Sequence, residues 1–415
     1  MSESKAVTHA YLEAKRARAL HADRWDVMNG FPPTLDKLVT HQNFMAPPNN
    51  RWGFKHLEKL TRSTTVSRGG GSISPLINTL QDLSGVVFKS KSGSTVTVKE
   101  HLAATFTDGF IVLKNGACLY EAYFDNFLPA DRHIMFSVTK SIVGLLAEDF
   151  VASKVLDELL TVGEYVPELA ASAFGDATIR QVMNMVVGVN YHESYEDPNN
   201  ITAQYAYASG LWSRPEGSDH SDNICDYLKK LEKKGEHGVC FDYITPCTEV
   251  LAWVVERASG RSIAAHVEEI WSQLGCERDA YFVNDAQGRV CSGGGFNATL
   301  RDMARFALMV SQKGEWKGKQ LVSPAAVDRL FEGADPEHYA RNEEYSSWTP
   351  GASYRSQWYV YSGQSIMAVG IHGQIIYINR LSNIVIVKQS SSPTAETPLS
   401  TDTVVMLQTL ADVLS

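Results

Sequence analysis

Strand-forming segments lie near both ends of this chain, with a long helix-forming stretch between them. Any sheet must therefore be assembled from distant parts of the sequence. The first signal spans 108–124, where Phe110-Ile111-Val112-Leu113 and Leu119-Tyr120-Glu121-Ala122-Tyr123 flank Lys114-Asn115-Gly116-Ala117. Asn-Gly tolerates positive φ at both central positions and closes a tight hairpin. The second group lies at 357–361, 366–371, 375–379 and 384–388, the last two joined by a polar turn at 380–383. The chain ends on an amphipathic helix with Val404, Val405, Leu407, Leu410 and Val413 on one face. Residues 141–310 read as mostly helical, most strongly in the apolar run TEVLAWVVERA at 248–258. The expected fold is α+β: a central antiparallel β-sheet built from both chain ends with flanking helices, plus an inserted, mainly helical lobe. The expected divisions are an N-terminal extension at 1–65, a sheet domain at 66–160 and 290–415, and a helical domain at 161–289. Ligands favour the groove between such lobes.

The chain has 415 residues, 44% of them hydrophobic, enough for more than one core. Its net charge of −9 argues against nucleic acid or an anionic membrane as partner. No apolar run reaches the roughly 18 residues that a bilayer span needs. The N-terminal stretch lacks the apolar core of a signal peptide, and the six cysteines include no C-x-x-C pair. Reduced thiols in a cytoplasmic protein are the simplest expectation. No Cys/His cluster has metal-ligand spacing and no H-E-x-x-H occurs, so neither metal nor cofactor is expected.

The chemistry is carried by Phe136-Ser137-Val138-Thr139-Lys140-Ser141. A serine hydroxyl needs a base within hydrogen-bond reach to become a nucleophile. Three residues on, Lys140 would stand on the same helix face as Ser137. Burial against Ile142, Val143 and Leu146 would lower its pKa and let the neutral amine take the serine proton. A helix start at Ser137 would also offer unpaired N–H groups to an anion. By spacing alone, a serine cap beside a surface lysine fits better, and Ser2/Lys5 and Thr34/Lys37 share the pattern. Only the match at Ser137 opens an apolar helix directly after a hairpin.

Two further segments bear on the site. Phe241-Asp242-Tyr243 leads into the apolar helix, and a phenol near a lysine ammonium could titrate low enough to pass protons; a loop anchor is the alternative. Gly370-Ile371-His372-Gly373-Gln374 is expected on a strand whose N–H could complete an oxyanion hole; a plain bulge at Gly373 fits equally well. No Gly-x-Ser-x-Gly elbow occurs, which argues against an α/β-hydrolase.

Together these residues resemble the serine β-lactamase and DD-peptidase superfamily, most of all the branch holding 6-aminohexanoate-dimer hydrolases and family VIII carboxylesterases. Asn50-Arg51-Trp52-Gly53-Phe54, Asp131-Arg132-His133, 164–169, 190–198, Val250-Leu251-Ala252-Trp253 and Ile371-His372-Gly373-Gln374 carry the likeness. The resemblance implies Ser137, Lys140 and Tyr243 as a catalytic trio, with Tyr195 closing over the substrate. It also implies an oxyanion hole from the Ser137 and Ile371 N–H groups, with His372 and Gly373 beside it. Tyr207 and Trp212, in the stretch that ends Gly-Leu-Trp, and Gly293 would contact substrate. Without the resemblance, Tyr195 would pass for a surface-loop aromatic.

Thr245 stands where β-lactamases carry asparagine, His372 replaces a fixed cation, and no carboxylate precedes Gly210-Leu211-Trp212. The expected substrate is therefore a neutral small-molecule ester or linear amide, cleaved through an acyl-enzyme by a protein that could form a homodimer. A β-lactamase or DD-peptidase is the alternative within the superfamily, and a catalytically inactive binding module is the alternative outside enzymes.

Overall fold

The computed structural model describes residues 10–17, 26–195, 197–361 and 363–415. Its main sheet has eight strands in the order Ala352–Arg355, Trp358–Tyr361, Ser365–Gly370, Gln374–Asn379, Ile384–Ser390, Thr107–Lys114, Ala117–Tyr123 and Ile77–Asn78. The seam between the chain ends is antiparallel and pairs Ile386 with Val112. Ile384, Val385, Ile386 and Val387 are all buried, as expected of a strand covered on both faces. The helix Leu300–Ser311 packs against this seam. The sheet is thus antiparallel and two-ended as expected, save at one edge, where the two-residue strand Ile77–Asn78 runs parallel to Ala117–Tyr123.

Two local expectations need correction. The stretch expected to be helical contains strands Ala280–Val283 and Phe296–Ala298, which join Ser63–Val66 and His133–Ile134 in a second, four-stranded sheet. Strands of two to four residues are too short to show a period in the sequence. Ile371–Gly373, expected on a strand, forms a tight turn after Ser365–Gly370, with φ of 61° at His372 and 92° at Gly373. The turn reverses the chain so that Gly370 pairs with Gln374.

The helix Val138–Ala152 is pressed between the sheet and the helices Pro246–Ser259 and Pro324–Glu332. It approaches so closely because Gly144 has no side chain: a Cβ there would lie 1.9 Å from the Ser356 carbonyl oxygen. Ser141 Oγ donates to the Gln357 carbonyl at 2.6 Å, and Trp358 Nε1 donates to the Ser141 carbonyl at 3.0 Å. Further along, buried Glu148 accepts from Arg180 Nη1 and Arg329 Nε, both at 2.7 Å. Burial alone would raise its pKa, but these guanidinium groups hold it down to about 2. One apolar core runs from the sheet through this helix into the helical region, joining Ile386, Val143 and Leu251.

Of the N-terminal extension, residues 1–9 and 18–25, including Ser2 and Lys5, lie outside the described residues. Residues 10–17 are helical. Lys37, in the other match, ends the three-residue 3-10 turn Leu35–Lys37 and pairs with Asp26. Phe44 is buried edge-on to Phe54, and His41 Nε2 lies 3.1 Å from the Leu211 carbonyl oxygen. All six cysteines are unpaired thiols. Among the described residues no helix is long and apolar enough to cross a membrane.

The Gly144→Ala variant should lose about 3 kcal/mol of stability, because a methyl group cannot fit against a fixed carbonyl without moving the helix. Chemical denaturation measures this, and an unchanged midpoint would show that the close approach is not required.

Candidate active site

Ser137 sits where the four-stranded sheet gives way to the helix Val138–Ala152. Met135 N–H donates to the Phe296 carbonyl at 2.8 Å and Phe296 N–H donates to Thr139 Oγ1 at 3.1 Å, fixing the entry to the helix. Phe136 is held at φ 42°, a conformation unfavourable for a bulky side chain and often found at functional positions. Ser137 takes the cap position, yet its side chain caps nothing. Its Oγ instead accepts a hydrogen bond from Lys140 Nζ at 2.7 Å. This excludes the serine cap with a surface lysine: Lys140 is buried, not exposed.

The ammonium also donates to the Gly293 carbonyl oxygen at 2.7 Å. The Gly293 N–H is held in turn by Glu249 Oε1 at 2.7 Å, and Glu249 accepts from Tyr205 Oη at 2.6 Å. A side chain at position 293 would collide with that tyrosine oxygen at 2.4 Å, so glycine is required there. Gly293 therefore orients Lys140, and it also lines a small apolar hollow of about 40 Å³ that reaches Ser137.

Burial pulls the Lys140 pKa down to about 8, and the Glu193 carboxylate is the first of the groups that oppose this. Tyr243 is also buried, with Lys140 Nζ 5.1 Å from its ring centre. Its ring stacks on Tyr345 at 5.8 Å and meets Tyr354 edge-on. Burial and then Glu193 raise its pKa, against a smaller opposite pull from the Ser137 hydroxyl. The expectation of an easily ionised phenol is therefore corrected: Tyr243 is held as the neutral phenol. Tyr195 Oη donates to Glu193 Oε1 at 2.6 Å, and Thr245 Oγ1 donates to the same oxygen at 2.9 Å.

Two hollows meet at Ser137. The larger, about 400 Å³, is bounded near Ser137 by Tyr195, Tyr243 and Ile371, with Tyr345 and Trp348 further along. The smaller lies between Phe136, Ala206, Leu211 and Trp212, with Met45 of the N-terminal extension in its wall. Gly370 lies against the backbone before the serine: a Cβ there would be 2.5 Å from the Met135 carbonyl oxygen and 3.1 Å from the Ser137 nitrogen. This brings the Gly370–Ile371 peptide alongside Ser137.

Two expected contacts fail. The His372 ring faces inward, packed on Phe54 and Phe136, with Nδ1 2.7 Å from the Ser392 carbonyl oxygen. Burial pushes its pKa down to about 4. Tyr207 is buried against Trp212 and His220, donates to the Pro198 carbonyl, and lines neither hollow. The larger hollow is also more charged than an expected neutral substrate implies, because Glu193, Glu344, Glu396, Lys91 and Lys388 line it. Glu193, Glu249 and Lys388 stand at the site although none was expected there from the sequence. Glu249 carries a legible signal, as a carboxylate directly ahead of the uniformly apolar stretch 250–255.

A model of the beta-lactamase family matches residues 97–411. The chain belongs to the beta-lactamase family. This family member is 31% identical over 393 residues to the 6-aminohexanoate-dimer hydrolase of Paenarthrobacter ureafaciens, covering 92% of this chain and 94% of the relative. A solved Bacillus anthracis protein assigned as a 6-aminohexanoate-dimer hydrolase superposes with a TM-score of 0.81 at 30% identity, over 92% of this chain and 98% of that one. The octameric penicillin-binding protein homologue from Pyrococcus abyssi shares the fold at 18% identity, with a TM-score of 0.56 over 75% of this chain and 76% of that one. The beta-lactamase-family chain is a serine hydrolase.

Because the Glu193 carboxylate favours the Lys140 ammonium, Glu193→Gln should lower the Lys140 pKa by about one unit. NMR titration of the lysine Cε signal measures this; an unmoved or raised pKa would contradict the assignment.

Proposed function

We propose that this hydrolase cleaves carboxylic esters and linear amides of the 6-aminohexanoate-oligomer type through an acyl-enzyme on Ser137. The observation that carries this is the 2.7 Å contact between Ser137 Oγ and a buried Lys140 Nζ. With its pKa near 8, Lys140 carries the free base in about one molecule in ten at pH 7. In that form the serine hydroxyl donates to the amine, and Gly293 keeps the amine in place. As Oγ attacks the carbonyl carbon, the proton passes to Nζ. Negative charge gathers on the carbonyl oxygen, where the N–H groups of Ser137 and Ile371 meet it.

Collapse breaks the bond to the leaving oxygen or nitrogen. Tyr243, a neutral phenol, gives its proton to that atom and is reprotonated by the Lys140 ammonium, so the base ends neutral. Tyr195 closes the other side and supports a leaving nitrogen. Water then attacks the acyl-serine with the same base, releasing the acid. Among the described residues the trio and its supports are all present, which supports an active enzyme over an inactive binding module. Thr245 Oγ1 donates its one proton to Glu193 and so has none to offer the carbonyl oxygen of a β-lactam side-chain amide.

The free base forms as pH rises, so kcat/KM should climb through an acid limb centred near pH 8. A chromogenic short-chain ester should be hydrolysed faster than nitrocefin. A fluorophosphonate probe should add to Ser137 by intact mass, and Ser137→Ala should abolish both the adduct and turnover. Retained turnover in that variant would remove Ser137 from the role.

A further inference from the structure

The larger hollow does not end at the catalytic groups. It continues past Ile371 and Gly373 between the sheet and the C-terminal segment, and Lys388 lines this extension with Thr105, Ser392 and Thr403. Lys388 is 1% exposed. Its Nζ donates to Ser390 Oγ and, at 3.3 Å, to the Gly373 carbonyl oxygen. Among the described residues no carboxylate lies within ion-pair distance of it. Asp108, the acid that acts on it electrostatically, is already engaged by Arg51, His133 and Ser391. His101, also close, is a neutral ring bonded to Thr403. In its protonated form Lys388 therefore keeps one unused proton at the edge of a cavity that opens onto the nucleophile. A buried cation without a counter-ion is costly, and an anion arriving in the cavity would offset that cost.

The Gly373 carbonyl that holds Lys388 belongs to the same turn as Ile371, so the cation and the proposed oxyanion hole are fixed to one piece of backbone. Glycine at 373 makes this possible, since a Cβ there would lie 3.1 Å from Nζ.

We propose that Lys388 binds a carboxylate at the far end of the substrate, so that the preferred esters and amides are linear molecules with one arm ending in a carboxylate. This rests on the assignment of Ser137 as nucleophile. The carboxylate accepts from Nζ, while the scissile carbonyl lies at Ser137 and the intervening methylenes run along Val369 and Ile375. Burial lowers the Lys388 pKa to about 7, and a bound carboxylate would restore its charge.

The test compares mono-4-nitrophenyl esters of succinate, glutarate and adipate with neutral 4-nitrophenyl esters of equal chain length, together with matching esters bearing the carboxylate on the alcohol arm. At one chain length the carboxylate ester should be preferred by about tenfold or more in kcat/KM, the scale of one charge-assisted hydrogen bond. In Lys388→Met and Lys388→Gln, shown by thermal melting to be folded, that ratio should fall towards one. No preference in either series, or a preference that survives both variants, would overturn the proposal. Calorimetric binding of monomethyl glutarate to the Ser137→Ala protein separates this from the catalytic assignment, because it needs no turnover. Binding that disappears when Lys388→Met is added supports the carboxylate site even if Ser137 is not the nucleophile. Binding that persists would refute the site even if Ser137 is.

Discussion

A lysine ammonium is kept dry beside a serine hydroxyl, and much of the surrounding structure serves to keep it there. In water that amine would be protonated at any physiological pH. Removing water from around Lys140 brings its pKa to about 8, within range of base catalysis. The cost of burial is offset by the two acceptors that hold Nζ, Ser137 Oγ and the Gly293 carbonyl, and by the nearby Glu193 carboxylate.

Each of those partners is itself held. Gly293 hangs from Glu249, Glu249 is tied to Tyr205, and Glu193 is bonded to Tyr195 and Thr245. The helix carrying Ser137 and Lys140 is locked to the sheet by the side-chain-free approach at Gly144 and by the Glu148 ion cluster at its other end. The positive φ at Phe136 is maintained by the same short sheet that directs the chain into Ser137. The site thus draws its geometry from elements that are far apart in sequence, and a fault in any of them would reach Lys140.

The α+β fold and the two-ended sheet were legible in the sequence because the seam strands are long and rich in Val and Ile. Ser137 and Lys140 were legible as a pair only once the apolar helix after them was weighed. The four-stranded sheet was hidden because its strands are too short to show alternation. His372 was misassigned because sequence places a residue in a turn without saying which way its ring points: the left-handed backbone there turns it into the core. Tyr207 failed for a similar reason, since its helix presents that ring to Trp212 and His220. Glu193 and Lys388 gave no local signal, because what marks them is an unpaired or shared charge in a cavity assembled from distant segments.

The central claim is that Ser137 becomes acylated because Lys140 removes its proton. Rapid-quench mass spectrometry of the enzyme mixed with an activated ester tests this most directly. The account predicts an acyl adduct on the peptide containing Ser137, formed about 10²–10⁴-fold more slowly in Lys140→Met. An adduct on another residue, or acylation of Lys140→Met at the wild-type rate, would contradict it.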